Sequence, residues 1–287
     1  MKISDVKINL NMIADLYFED EIKEFEVMDI LQNGEQEVFD LKASPLDLIV
    51  LPNNQILVTN HSCLSIYDQN LHLVKVINRI EDRNSRTEEF RPLATTLNME
   101  CKSFYITNYQ QILMTDLEFN FIKSIGSFGN GCEQFNGPYD LCFINQNLYV
   151  CDYFNKRIKV YTNQLEYVIS YDLSCFPWKM KRFRSIVFIQ SVNGIYCFKL
   201  EDFSLIKYFQ QSHFRMSQVF SNIFQFDYHN KKLVCYDYEG DLKEEVNFTN
   251  ENLIETRDGA LLEFNGSLLM TSFSNKKIIK FSKIRKV

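Results

Sequence analysis

Between Leu46 and Ile77 the chain alternates short apolar runs with polar punctuation: "LDLIVL", "QILVTN", "CLSIYD" and "HLVKVI". Each run is six residues long, rich in apolar and β-branched side chains, and bounded by turn formers such as Asn53, Asn54, Ser62 and Asn70. That pattern predicts four consecutive β-strands. Similar runs continue to "ALLEF", "SLLMTS" and "KIIKFS" near the C-terminus, and no stretch sustains a helical period. The chain therefore reads as all-β.

The runs repeat. "DYFNKRIKVY" (Asp152–Tyr161) and "DYHNKKLVCY" (Asp227–Tyr236) are near copies, and "SFSNKKIIKF" (Ser272–Phe281) is a weaker one. Equivalent anchors are Asn60, Asn108, Asp152, Ser191, Asp227 and Ser272, in steps of 48, 44, 39, 36 and 45 residues. Pro45, Pro92, Pro138 and Pro177 precede the first four anchors by 15, 16, 14 and 14 residues. A proline once per unit, just before an apolar run, suits the entry to a strand, since it cannot donate inside a ladder. Six units of four strands predict a six-bladed β-propeller over residues 21–287, with 1–20 as an N-terminal segment. The alternative is seven blades, with residues 1–20 supplying strands to the extra one. The last unit lacks an outer strand, and "IKEFEVMDI" (Ile22–Ile30) is the strand expected to pair with it and close the ring. At the anchors, an Asp, Asn or Ser is expected to accept hydrogen bonds from the backbone of the turn that follows, with Asn155, Asn230 and Asn275 in the turns themselves.

The stretch "GSFGNGCEQFNGPYDLCFINQNLYVCDYFNKRIKVY" (Gly126–Tyr161) resembles an NHL repeat, through Gly131, Phe135, Pro138, Tyr149-Val150-Cys151-Asp152, Asn155, Arg157-Ile158 and Val160-Tyr161. The unit around Asp227 matches over its second half, and the other four are degenerate. The resemblance implies a six-bladed propeller acting as a binding platform. Some NHL domains bind RNA. Many sit beside RING or B-box modules in ubiquitin ligases, but this chain has no cysteine-rich module to match, so ligase activity does not carry over.

Charge refines this picture. The net charge of −6 is concentrated at the front: residues 1–44 hold eleven acids and four lysines, and the rest is nearly neutral. A neutral body gives no general pull on nucleic acid, and DNA is not an expected ligand. The acidic "EDEIKEFE" (Glu19–Glu26) and the basic tail Lys276–Lys286 are expected to meet across the closing seam. "EDRNSRTEEFRP" (Glu81–Pro92) is the most charged connection and a candidate contact loop. The eight cysteines are scattered without a CxxC pair, no apolar run reaches membrane length, and the first residues lack an apolar signal region. Buried thiols in a reducing compartment, and a cytoplasmic chain, are expected.

Two constellations could carry function. The first is a basic, aromatic-interleaved face: Lys156 and Arg157, Lys231 and Lys232, Lys276 and Lys277, with Trp178, Lys179, Lys181, Arg182 and Phe183 from "PWKMKRFR". Such a face could grip a protein or single-stranded RNA, although solvated consensus lysines explain it as well. The second is the channel mouth, where Asp47, Asp140, Lys179 and Arg215 occupy equivalent places beside Ala94 and Ala260. Mutual charge pairing is the favoured reading there, ahead of a ligand or metal site. No catalytic residue, metal or cofactor is nominated. His61, His72, His213 and His229 lie in different units, no HExxH, Gly-x-Ser-x-Gly or Walker pattern occurs, and "GSFGNG" lacks dinucleotide-loop spacing. The leading reading is a non-catalytic scaffold that engages a protein partner through loops on one face. The alternatives are an RNA-binding propeller and a metal-dependent hydrolase or lyase.

Overall fold

The computed structural model describes residues 35–81, 89–183, 185–210, 214–219, 222–227, 232–236, 242–247, 261–265, 267–272 and 274–282. The readings made for 1–30, Lys231, Ala260, His213 and His229, and for most of the Glu81–Pro92 loop, fall outside these residues. So do those for the side chains of Phe183, Arg215 and Asp227.

The strands follow the apolar runs. The first sheet holds β2 (Pro45–Val50), β3 (Ile56–Asn60), β4 (Cys63–Tyr67) and β5 (Leu73–Ile77), preceded by β1 (Glu35–Asp40). Next come β6 (Pro92–Asn98), β7 (Ser103–Asn108), β8 (Gln111–Thr115) and β9 (Phe121–Ile125), then β10 (Pro138–Ile144), β11 (Asn147–Asp152), β12 (Arg157–Tyr161) and β13 (Tyr167–Asp172). They are followed by β14 (Lys179–Phe183), β15 (Ile186–Ser191), β16 (Gly194–Lys199) and β17 (Leu205–Gln210), and by β18 (Phe214–Val219), β19 (Asn222–Asp227), β20 (Lys232–Tyr236) and β21 (Leu242–Asn247). The last are β22 (Leu261–Phe264), β23 (Ser267–Ser272) and β24 (Lys277–Ser282).

Among the described residues these strands form six four-stranded antiparallel sheets, five in simple chain order and one in the order β1-β24-β23-β22. The innermost strands touch in a circuit: β2 against β6, then β10, β14, β18 and β22, which returns to β2. The molecule is therefore a β-propeller of four-stranded blades. Closure comes from an N-terminal strand, but from Glu35–Asp40 rather than from Ile22–Ile30. The register sets Glu37 opposite Lys280 and Asp40 opposite Lys277. Glu37 and Lys280 form a 3.2 Å ion pair, so the opposite charges expected across the seam come from residues further along the chain than 19–26.

Packing explains why the inner runs are continuously apolar instead of alternating. β3, β4 and β7 are buried at every position because each sheet has a neighbour on both faces. Ile56 and Val58 pack towards the last sheet with Leu269 and Ile278. Leu57, between them, packs the other way with Phe104 and Ile106. Successive side chains point to opposite faces, so one strand feeds two cores.

Three of the four landmark prolines begin inner strands and sit opposite anchors: Pro45 opposite Asn60, Pro92 opposite Asn108 and Pro138 opposite Asp152. That register corrects the expected anchor chemistry. Asn108 and Asp152 accept from the backbone of the loop before the inner strand, through Arg91 N at 2.6 Å and Asn136 N at 2.7 Å, rather than from the backbone of the turn that follows. Asn155 and Asn275 lie in the turns, and the lysine after each, Lys156 and Lys276, is the left-handed residue, at φ 52°.

Candidate functional site

One end of the molecule gathers two sets of loops. Inner strands begin there, second strands end there and third strands begin there, as the Pro138–Asp152 and Asp152–Arg157 pairings show. The tight turns after β3, β7, β11 and β15 therefore share a face with the loops that link successive sheets.

The unit matching the repeat pattern best is the most heavily bonded part of this face. Asp152, fully buried, pairs with Arg157 Nε at 2.7 Å and accepts from Asn155 at 2.8 Å. Arg157 spends its remaining donors on the carbonyls of Asn130, Gly131 and Gln134 at 2.7–3.3 Å. Beneath it, Lys159 is also fully buried. Its ammonium donates to the carbonyls of Gly131, Cys132 and Gln134 at 2.6–2.8 Å and lies 4.6 Å from the centre of the Phe135 ring. Burial and the neighbouring Arg157 charge pull Lys159 down to about 8. These side chains hold the loop 126–137 in one conformation. Gly126, at φ 115°, packs so closely on Gln110 and Phe135 that a side chain there has no room.

Aromatic rings cover the next part of the face. Tyr139, Tyr153, Phe154, Phe176 and Trp178 form a continuous cluster, with Tyr139–Tyr153 and Tyr153–Phe154 centroids 4.8 Å apart and Tyr139–Trp178 5.7 Å apart. Lys156 lays its ammonium 4.5 Å from the centre of the Phe176 ring. Large apolar side chains in the loops and turns of this face stand out into solvent: Phe128 is 68% exposed, Tyr109 55%, Phe154 53% and Val192 52%.

The channel mouth opens beside this cluster. Lys179, on β14, reaches across the axis to Asp47 on β2 at 3.2 Å and to the Leu46 carbonyl at 3.5 Å. Asp140 on β10 accepts from Met180 N at 2.7 Å. Burial alone would raise the Asp47 carboxyl, but the charges of Lys179 and Lys181 outweigh it and hold Asp47 below the usual carboxylate range. At Asp140 burial prevails, helped by the Asp47 charge, and the carboxyl is raised despite the same lysines. Burial would lower Lys181, yet Asp47 and Asp140 keep it above the ordinary lysine value. Lys179 and Asp47 thus pair directly, and Lys181, which was not in the expected set, adds its charge to theirs and to that of Asp140. Uncharged contacts also join neighbouring sheets near the inner strands, as where Thr59 meets Thr95 at 2.9 Å, and Thr107 accepts from Ala94 N at 2.9 Å.

The basic candidates divide between equivalent turns of this face, which hold Lys156 and Lys276, and positions within strands. Lys181 and Arg182 lie within inner strand β14, which runs away from the rim, and Arg182 is paired in register near its far end. Lys232 is bound to Glu245 at 3.1 Å. Lys276 and Lys277 sit at the closing seam, in a different sheet from Lys156. Of the rim bases proposed, Lys156 alone adjoins the aromatic cluster among the described residues. His61 is exposed in the turn after β3, whereas His72 lies at the opposite end, 3.4 Å from Asp68. No group of three or more His, Cys, Asp or Glu side chains is placed to hold a metal ion among the described residues. The seven described cysteines are free, and burial pushes the Cys142, Cys175 and Cys197 thiols up to about 12, so they pack as neutral hydrophobes.

Sequence reading missed the Lys159 clamp and the ring cluster. The available signals were the adjacent aromatics Tyr153 and Phe154 in a turn, where polar residues usually stand, and Phe128 between two glycines.

No family model and no curated protein matches this chain. Solved structures resemble it in fold. A catalytically inactive variant of virginiamycin B lyase from Staphylococcus aureus, with quinupristin, aligns at TM-score 0.61 and 12% identity, over 88% of this chain and 89% of that one. The Pan2 WD40 domain of Neurospora crassa aligns at 0.60 and 9%, over 85% and 90%. BamB from Moraxella catarrhalis aligns at 0.52 and 13%, over 85% and 74%. At these identities the likeness defines the class, a β-propeller, and nothing narrower.

Proposed function

We propose that this chain is a non-catalytic, six-bladed propeller of NHL type that engages a protein partner through the loops of one face. The observation that carries the reading is the set of exposed Tyr109, Phe128, Phe154 and Val192 on the same face as the Tyr139–Tyr153–Trp178 cluster. Large exposed apolar groups on the same face as an aromatic cluster are what a protein interface is built from, since their desolvation and packing supply most of the energy of such contacts. The clamp on loop 126–137 fixes Phe128 before a partner arrives, which lowers the ordering cost of binding.

The RNA alternative draws less support. Arg157 and Lys179 are committed to Asp152 and Asp47, Lys232 is paired with Glu245, and Lys181 and Arg182 lie within an inner strand. A hydrolase or lyase has no converging set of acids and histidines to support it among the described residues. Free, neutral thiols fit a reducing compartment, and we place the chain in the cytoplasm on that ground.

The test compares affinity purification and mass spectrometry from native cells for the wild type and for Phe128→Ser/Phe154→Ser. Both positions are exposed, so the double variant keeps the fold. Proteins recovered by the wild type should fall at least about fivefold with the variant, as expected on removing central apolar anchors. Equal recovery from both, or recovery abolished by nuclease, overturns the reading.

A further inference from the structure

Among the described residues the outermost strand of each blade ends its ladder, leaving a row of backbone N–H and C=O groups that can pair with another chain. Five of these strands share a bulge at one place, and the first residue paired beyond it is Lys75, Lys123, Ile169, Lys207 or Glu244. Four of the five are charged. The strand at the seam, β1, carries Glu35, Glu37 and Asp40. Charges on an edge strand discourage pairing with other chains, and β13 alone lacks one from Tyr167 to Tyr171.

Elsewhere the lysine at this position also braces the next blade: Lys75 donates to the Glu118 carbonyl at 3.4 Å and Lys123 to the Gln164 carbonyl at 2.9 Å. Ile169 can do neither. Tyr167, Val168 and Ile169 are 41%, 48% and 42% exposed in succession. Glu166 and Asp172, both exposed, bracket this apolar edge with negative charge.

We propose that β13 takes an extended segment of another polypeptide as a fifth strand of its sheet. That segment has an apolar centre and a basic residue at each end. Main-chain pairing supplies affinity, the apolar centre covers Tyr167, Val168 and Ile169, and the flanking bases meet Glu166 and Asp172. A second copy of this chain does not fit, because antiparallel self-pairing sets Glu166 of each copy beside Asp172 of the other. The inference is independent of the loop face, since the edge lies on the side of the cylinder.

The test uses the full chain and a fluorescein-labelled peptide, Lys-Thr-Val-Thr-Val-Thr-Lys, read by fluorescence anisotropy. The variant Ile169→Lys installs the residue that β5, β9 and β17 carry at this place, so it preserves the fold. Wild type should bind the peptide, and Ile169→Lys should bind it at least about fivefold more weakly. A Glu-flanked version and a version N-methylated at alternate residues should each lose at least about as much. No binding to wild type, or equal binding of the variant, overturns the proposal. So does sedimentation showing a wild-type dimer that Ile169→Lys dissociates, which would make the occupant a second copy.

Discussion

Lys159 shows how a single buried charge can order a loop. In an apolar interior an ammonium is costly unless its donors are used, and three carbonyls of loop 126–137 use them. Its lowered value, about 8 against an ordinary 10.5, has a definite consequence. Between those limits the unfolded chain keeps a proton that the folded chain has shed, so this group's contribution to stability rises with pH. Relative to Lys159→Met, the wild type should gain about 1–2 kcal/mol between pH 8 and about pH 9.5. Urea denaturation of both proteins at the two pH values measures it, because other titrations cancel in the difference. A gap that narrows instead would mean that the carbonyls hold the charged form more strongly than burial opposes it. The sequence "RIKVY" gives no hint of this role. Period-two reasoning sends Lys159 outward, and only the neighbouring blade makes both faces of β12 interior.

At the scale of elements, the decisive piece is the strand that closes the ring. β1 pairs along its whole length with β24, supplying the fourth strand of a sheet whose other three come from the C-terminal end of the chain. A truncation to residue 41 removes this strand, together with the Glu37–Lys280 pair; a truncation to residue 31 does not. The chain beginning at residue 41 should therefore melt several degrees below one beginning at residue 31, as the loss of a few kcal/mol implies for a chain of this length. Differential scanning calorimetry distinguishes them, and coincident transitions would sink the closure argument. The strands themselves were legible, since apolar runs, turn residues and once-per-unit prolines all follow from local chemistry. The closing strand was misplaced because "IKEFEVMDI" and "EQEVFD" look alike as edge strands, and only register with β24 separates them. The basic face was misread for a related reason. "PWKMKRFR" is charged like a loop, yet it forms an inner strand, because Lys179 and Lys181 find acids across the channel.

On the whole molecule, the Lys179–Asp47 pair acts as a strut. Counting around the circuit of inner strands, β2 and β14 are three steps apart in either direction, so this contact spans the full width of the ring. Hydrogen-bonded neighbours hold adjacent strands, but this pair ties opposite blades directly. A buried ion pair contributes little beyond an apolar replacement of the same volume, while removing one partner strands the other charge. Lys179→Met should therefore cost about 3–5 kcal/mol, and Lys179→Met with Asp47→Leu should recover most of that loss. The acid response adds a sign. Asp47 lies below its ordinary value, so its share of stability is present above 3.8 and is lost as pH falls through the lower folded value. Asp140 is raised and works the other way, gaining stability as pH falls through its folded value, so the two carboxyls oppose each other in acid. In the Lys179→Met variant both carboxyls lose their nearest cation, both favour the protonated form, and stability should climb as the solution is acidified towards pH 4. A double-mutant cycle in urea at pH 7 and pH 4 reads both effects. A double variant no more stable than Lys179→Met alone, or a single variant insensitive to pH, would show that the strut carries no coupling across the ring.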